Sequence, residues 1–169
     1  MAGMIESKEL DKLNKKLDKI AGKLFKKVDK IPDAITQRLG EGAIDIRSTI
    51  IMSMRNTPKT GKHYKRGKKK HIASFPGNPP AIDSGELVRS IMFDVRKMEI
   101  EIGVEGGAPY AEYLETGTFK ITGESITPTE LIEPRPFLNP AIEKHHKEII
   151  DDIGEGVFEL IKEPLEKIK

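Results

Sequence analysis

Apolar residues recur at helical spacing in the first part of the chain. Five of them follow a 3-4-3-4 spacing with Lys and Asp at most positions between, namely Leu10, Leu13, Leu17, Ile20 and Leu24. A seam this narrow is typical of a helix that packs against another helix. We therefore predict a helix from about Ser7 to Asp29. Its seam packs either on the C-terminal helix of the same chain or on a neighbouring subunit, and composition does not separate these alternatives.

A second helix is expected after Pro32, which interrupts or kinks the first because proline lacks the N–H that a helix interior needs. Asp33 is the expected N-cap. The helix ends at Asn56-Thr57-Pro58, and its apolar row recurs every three or four residues: Ile35, Leu39, Ala43, Ile46, Ile50 and Met54. Residues 57–82, rich in glycine and proline, are predicted as a long loop, of a length that is usually functional or disordered.

The next segment changes from helical to alternating periodicity. Asp83-Ser84 is expected to cap a short helix from Gly85 to about Ser90. Apolar and polar residues then alternate in two runs, 93–96 and 99–105. This alternation predicts a β-hairpin with one buried and one wet face, turning near Lys97-Met98.

The last third is predicted to hold two helices with β structure between them. A short helix follows Pro109, residues 119–134 suit one or two strands, and Asn139-Pro140 starts the last helix. That helix has an apolar row of Ile142, Ile149, Ile153, Val157, Leu160 and Leu165, and its second half is weakened by Gly154, Gly156 and Pro164. The order predicts an α+β fold, with long N-terminal helices and a C-terminal helix packed on a small, mainly antiparallel sheet.

Composition limits the class of protein. Apolar residues make up only 37% of the 169 residues against 33% charged, so we expect one domain with a modest core and segments that need a partner to become ordered. Without cysteine, disulfides and thiolate metal sites are excluded. No apolar run reaches 18 residues, so we expect neither a signal peptide nor a membrane span.

Positive charge is concentrated in one stretch. Residues 46–82 contain nine Lys or Arg and no acidic residue, whereas the rest of the chain holds 20 basic and 27 acidic residues, a net of −7. The densest part runs from 59 to 71 and supplies the candidate contact residues: Lys59, Lys62, Lys65, Arg66, Lys68, Lys69 and Lys70. This basic loop either contacts nucleic-acid phosphates without sequence specificity, or is solvated until it docks on an acidic neighbouring protein.

Catalytic patterns are missing from the sequence. The segment Asn56 to His63 lacks the first glycine and the hydroxyl of a phosphate-binding loop, and Ser84 lacks the preceding glycine of a nucleophile elbow. The adjacent His145 and His146 point about 100° apart on a helix, and all four histidines are interpreted as solvated surface residues. We therefore expect no catalytic, cofactor or metal site, and no enzyme.

Three blocks of residues go beyond general pattern. The first joins Pro79-Pro80 to the segment 83–91, and the second is the segment 109–118, which reads PYAEYLETGT. The third is the segment 134–141, which reads PRPFLNPA. In this order they resemble the gene-product-ten-like family of minor tail and tail-completion (head–tail joining) proteins of lambdoid siphophages. The matching positions are Pro80, Gly85, Leu87, Ser90, Tyr110, Tyr113, Glu115, Gly117, Thr118, Pro134, Arg135, Pro136, Phe137 and Pro140.

The resemblance covers residues 79–142 and implies a structural role. Ser84 stands where the family usually has Thr, and Phe119 to Glu133 form a longer insertion than is usual, read as an added hairpin facing a partner. The aromatic residues Tyr110, Tyr113 and Phe137 are expected to form a rigid anchor.

The single domain 1–169 would then divide into a helical arm (1–56), the basic loop (57–82), a family core (83–142) and a C-terminal helix (143–169). The implied protein is made in the cytoplasm of a bacterial host and is located in the virion of a phage or prophage. It forms a homo-oligomeric ring that contacts connector and tail-tube proteins, with DNA as a further, non-specific contact and no membrane. A small nucleic-acid-binding protein that uses the basic loop is the alternative.

Overall fold

Five helices and three β-hairpins make up the described part of the chain, residues 7–120 and 130–166 of a computed structural model. The helices are α1 (Ser7–Val28), α2 (Ile31–Asn56), α3 (Glu86–Ser90), α4 (Ala111–Thr116) and α5 (Asn139–Glu166). The strands are β1 (His63–Arg66), β2 (Lys69–Ile72), β3 (Ile91–Arg96), β4 (Glu99–Val104), β5 (Thr118–Lys120) and β6 (Glu130–Ile132). The predicted α+β class is confirmed.

The strands do not join into one sheet. Among the described residues they pair as β1–β2, β3–β4 and β5–β6, each pair antiparallel and separate from the others. The prediction of a single loop over residues 57–82 is wrong, because β1 and β2 lie within it. The predicted insertion contains β5 and β6, and its middle, residues 121–129, lies outside the described residues.

Helix α1 runs almost directly into α2. Only two residues separate them, and backbone hydrogen bonds bridge the junction, from Lys30 N–H to the Lys27 carbonyl and from Ala34 N–H to the Lys30 carbonyl. Asp33 is not the predicted N-cap: α2 begins two residues earlier and holds Pro32 in its first turn, where a missing N–H costs nothing. Helix α1 packs against α5 more than against α2, and residues 9–19 in its N-terminal half are all exposed. We call this half, residues 7–19, the arm.

Helices α2 and α5 form the main helix pair and run antiparallel. Thr49 bonds His145, Gly42 packs on Ile149, and Arg38 lies beside Gly156, so residue numbers rise in opposite directions along the contact. An added Cβ at Gly42 would lie 2.5 Å from side-chain carbons of Ile149. The small residue therefore permits the close approach of these two helices.

Helix α5 remains continuous through its predicted weak positions. It runs without a break to Glu166 past Gly154, Gly156 and Pro164, the residues predicted to weaken its second half. A glycine costs a helix interior about 1 kcal/mol relative to alanine. Packing of the half-buried apolar side chains Ile153, Val157 and Leu160 outweighs this cost.

The β3–β4 hairpin has the predicted turn and alternation. Phe93 pairs with Ile102 and Val95 with Ile100, and these apolar side chains are half-buried against α2. The turn places Met98 at a φ of +60°, which non-glycine residues rarely adopt. The Met98 N–H donates to Thr36 Oγ1 of α2 at 3.1 Å, which ties the turn to the helix. On the wet face Arg96 bonds Asp94 at 2.9 Å and lies 3.2 Å from Glu101, and these carboxylates raise the pKa of Arg96.

The core lies where α2 meets the three family-like blocks. It consists of Ile46, Ile50, Met54, Leu87, Ile91, Ala108, Ala111, Phe137 and Ala141. The α2 members are four residues apart, as the sequence row predicts. Because the remaining members, apart from Ala108, come from all three blocks, the blocks are brought together by burial around α2.

Candidate functional site

A groove of about 600 Å³ lies between the β1–β2 hairpin and the family-like blocks. Tyr64 and His71 of the hairpin face it from one side, and the segment 80–88 lines another. Tyr110 and Leu114 of α4, Ile132 of β6 and Arg135 complete the wall. The groove thus joins the two features that the sequence singled out separately, the basic segment and the family-like blocks.

The basic segment forms a two-stranded ribbon with like charges opposite each other. Lys65 pairs with Lys70 and Arg66 with Lys69 across the ladder, and Gly67-Lys68 form the turn between the strands. Gly67 has a φ of +60°, which glycine adopts readily and which two-residue hairpin turns require. Directly opposed like charges destabilise a hairpin, so an anion that bound between them would stabilise this one.

The ribbon is tied to the body at its base. Gly61 N–H donates to the Ala73 carbonyl at 2.8 Å, and Ala73 N–H donates to the Lys62 carbonyl at 3.0 Å, which extend the ladder. An added Cβ at Gly61 would clash with the Ser74 carbonyl oxygen, so only glycine allows the strands to close there. The lysines at 59, 62, 65, 68, 69 and 70 are exposed, and Lys62 Nζ lies 5.8 Å from the ring centroid of Tyr64.

Glu115 joins the second family-like block to the third. Its Oε2 accepts hydrogen bonds from Phe137 N–H at 2.8 Å and Leu138 N–H at 3.0 Å, and its Oε1 accepts one from Asn139 N–H at 2.9 Å. Asn139 is the first residue of α5, where unpaired amides and the helix dipole favour an anion. Glu115 is therefore the cap of α5, supplied from α4 rather than by the local sequence.

Arg135 is buried and ties the third block to the base of the hairpin. The side chain is 8% exposed, and its guanidinium donates to the carbonyls of Ser74 and Glu133, both at 3.2 Å. Its own backbone N–H donates to the Leu114 carbonyl at 2.6 Å. The Ser74 hydroxyl is fully buried beside the groove and has no hydrogen-bond partner among the described residues.

The turn after α4 depends on glycine. Gly117 has a φ of 74° and a ψ of 163°, a region that is essentially restricted to glycine. A Cβ there would lie 2.8 Å from the Ile132 carbonyl oxygen and 3.0 Å from Pro134 Cδ. The Gly117-Thr118 step thus lets β5 begin against the strand that leads into Pro134.

The first block closes the groove with a short helix. Gly85 has a φ of 76° at the N-terminus of α3, and Glu86 N–H donates to Ser84 Oγ at 3.4 Å. Leu87 and Ser90 are buried, as is Pro80. The predicted cap by Asp83-Ser84 is wrong, because Gly85 occupies the N-cap position and no side-chain cap bond forms there; Ser84 lies two residues before the helix begins.

The aromatic and proline residues of the second and third blocks differ in burial. Phe137 enters the core, whereas Tyr110 and Tyr113 are 40% and 50% exposed. Pro136 is half-buried, and Pro140 and Pro134 are exposed.

Two of the four histidines are not solvated. His145 bonds Thr49 Oγ1 at 2.7 Å and lies 3.6 Å from Glu148, and its side chain is 14% exposed. His71 is 17% exposed and lies 3.5 Å from Asp83 at the edge of the groove. His63 and His146 are exposed, as predicted.

Across residues 7–120 and 130–166, no three His, Asp or Glu side chains lie close enough to hold a metal ion. None of the described helices is both long and apolar enough to cross a membrane. No protein-family model, curated protein or solved structure matches the chain.

Sequence reasoning missed the cap function of Glu115 and the burial of Arg135. Glu115 lies in the second block and Arg135 in the third. The spacing of apolar residues around Arg135, which stands between two prolines, does not indicate that its side chain is buried. The strands β1 and β2 were missed because lysine is depleted in strands generally. The Arg-Gly-Lys step at 66–68 was the one local sign of a hairpin turn.

Proposed function

We propose that this chain is a structural virion protein of a tailed bacteriophage or prophage. It acts as a ring subunit at the head–tail joint or the completed tail end, around the DNA channel. The supporting observation is how the motif residues are used. Glu115 of the second block accepts bonds from backbone amides of the third, and Arg135 of the third block donates to the Ser74 carbonyl at the base of the hairpin. Side chains whose polar atoms are bonded to backbone groups in this way hold segments of the chain in place. They are poorly suited to proton transfer in a catalytic reaction.

Extended elements around this rigid unit suit an assembly role. The arm leaves Leu10, Leu13 and Leu17 each about half exposed, and the basic hairpin lies beside the groove. Exposed apolar stripes on monomers mark sites of protein contact. In the proposed particle the protein is made in the host cytoplasm and taken into the virion, where the connector and tail tube are its neighbours.

The decisive experiment is deletion of the gene from an inducible phage that carries it. Filled heads and separate tails should accumulate, and purified protein added to this lysate should restore joined, infectious particles. The Glu115→Ala variant, with its blocks uncoupled, should restore fewer particles than the Glu112→Ala control from the same helix. Intact virions assembled without the protein would contradict the proposal.

A second candidate, non-specific nucleic-acid binding, is favoured by the paired like charges of the hairpin. Release of counterions from DNA makes such binding fall steeply with salt. Replacement of Lys68, Lys69 and Lys70 by Glu should abolish binding to duplex DNA. The same change at three exposed lysines elsewhere, Lys97, Lys144 and Lys147, should reduce it far less. Equal losses in both variants would point to net charge alone, and no binding by the wild-type protein would exclude this function.

A further inference from the structure

We propose that the arm of one copy docks on the exposed face of α5 in a second copy. The contact is head-to-tail, so each copy offers one arm and receives another. It deepens the proposed function in one respect, since it names the surfaces through which a ring subunit would associate.

The donor surface is the unpartnered part of the α1 seam. Leu10, Leu13 and Leu17 are 49%, 55% and 51% exposed, whereas Ile20 and Leu24 further along the same seam are half-buried where α1 meets α5 of its own chain. A seam of a and d positions packs by inserting its side chains between those of a facing helix. The arm therefore presents a helix-packing surface whose facing helix comes from outside the chain.

The receiving surface is a stripe on α5. Ile150 and Phe158 are 64% and 56% exposed and lie two turns apart, with exposed Gly154 midway between them. An added Cβ at Gly154 would have nothing within 4 Å, so the helix backbone is open to close approach there. Residues spaced by four lie on one face of a helix, and this face thus has a shallow depression between two apolar side chains.

The charges of the helices favour pairing of the arm with the α5 stripe over pairing of two arms. Helix α1 contains eight lysines and three acidic residues, a net of +5, whereas α5 contains three lysines and eight acidic residues, a net of −5. Lys16 flanks the exposed part of the α1 seam, and Asp151 and Glu155 flank the α5 stripe. Opposite charges across a contact favour the right partner and like charges penalise the wrong one. The arm itself has five lysines and three acidic residues, so pairing of two arms would bring together two segments of net charge +2 and is disfavoured.

A comparable stripe on α2 lacks this complementarity. Ile44 and Met52 are 55% and 50% exposed and are also eight residues apart. Helix α2 has three basic and three acidic residues, so its net charge is zero. This stripe serves as the matched control surface. A head-to-tail contact between different surfaces closes into a ring when the rotation between copies allows it.

The test uses two variants of the full chain that each lose one surface. Leu13→Asp with Leu17→Asp removes the arm, and Ile150→Asp with Phe158→Asp removes the stripe. Each variant alone should be monomeric by sedimentation at up to about 1 mM, where even weak contacts are populated. Mixed together, they should form a one-to-one complex of two chains, since one still has its arm and the other its stripe. The control variant Ile44→Asp with Met52→Asp should associate as the wild type does.

Three results would overturn the inference. Continued self-association of the stripe variant would show arm–arm pairing, and no complex in the mixture of two helical, folded variants would exclude the contact. A wild-type protein that stays monomeric throughout the same range would exclude it as well. If the arm variant restored infectious particles in the deletion lysate, virion assembly would not require this contact. The proposed virion function would still stand.

Discussion

The cap of α5 by Glu115 gives the sharpest stability prediction. The carboxylate accepts three backbone hydrogen bonds, of which those from Phe137 and Leu138 are partly buried and that from Asn139 is exposed. Water replaces the exposed bond when the carboxylate is removed, but it reaches the other two amides poorly. Hydrogen bonds to a charged group contribute about 1.5–3 kcal/mol each. Two bonds at the lower end of that range make Glu115→Ala destabilising by about 3 kcal/mol.

Thermal and urea unfolding followed by circular dichroism measure this loss. For a chain of this length 1 kcal/mol corresponds to about 2–4 °C in Tm, so Glu115→Ala should lower Tm by about 6–12 °C. Glu115→Gln retains one oxygen acceptor but loses the charge and should lose about half as much free energy of unfolding. Glu112, three residues earlier on α4, is exposed, and Glu112→Ala should change the free energy by less than about 0.5 kcal/mol. Equal stability of the Glu115→Ala and Glu112→Ala variants would refute the capping argument.

Three further predictions test the turn, the core and the hairpin. Gly117→Ala should destabilise the protein by about 2 kcal/mol, because its φ of 74° suits glycine alone. The control Gly22→Ala, in α1 where an added Cβ meets nothing within 4 Å, should stabilise it by up to about 1 kcal/mol. Urea midpoints that shift in the same direction in both variants would contradict this. Phe137→Ala should cost about 3–5 kcal/mol, since the side chain is 2% exposed in the core, and a loss below about 1 kcal/mol in the same assay would mean that the core is placed wrongly. If the hairpin contacts phosphates, the logarithm of the DNA-binding constant should fall less steeply with log salt in Lys70→Gln, with the slope smaller in magnitude by about 0.9. Lys97→Gln in the β3–β4 turn should leave this slope unchanged.

In the proposed head–tail joint, the groove would contribute a surface of defined shape and the hairpin a surface of positive charge. Glu115 ties the second block to the third, and Arg135 ties the third to the base of the hairpin, through bonds to backbone groups. The hairpin adds a dense positive charge to one side of the groove. A tail or head component that inserts into the groove would meet both surfaces together, whereas DNA would require only the hairpin.

Sequence periodicity alone determined the three long helices and the β3–β4 hairpin. The a/d seam of α1, the row from Ile46 to Met54 and the alternation of Phe93 and Val95 are local patterns, and each appears in the structure at the expected place. The spacing of apolar residues within a single helix or strand is enough to indicate which of its faces is buried. For that reason the α+β class also follows from the sequence.

The structure alone decided the contacts between distant segments. Glu115 caps a helix that begins 24 residues later, and Arg135 bonds a carbonyl 61 residues earlier. The lysine-rich strands β1 and β2 form despite opposed like charges because their base is closed by Gly61 and Ala73. Such interactions depend on which backbone groups remain unpaired after the chain has packed, and no local spacing encodes that.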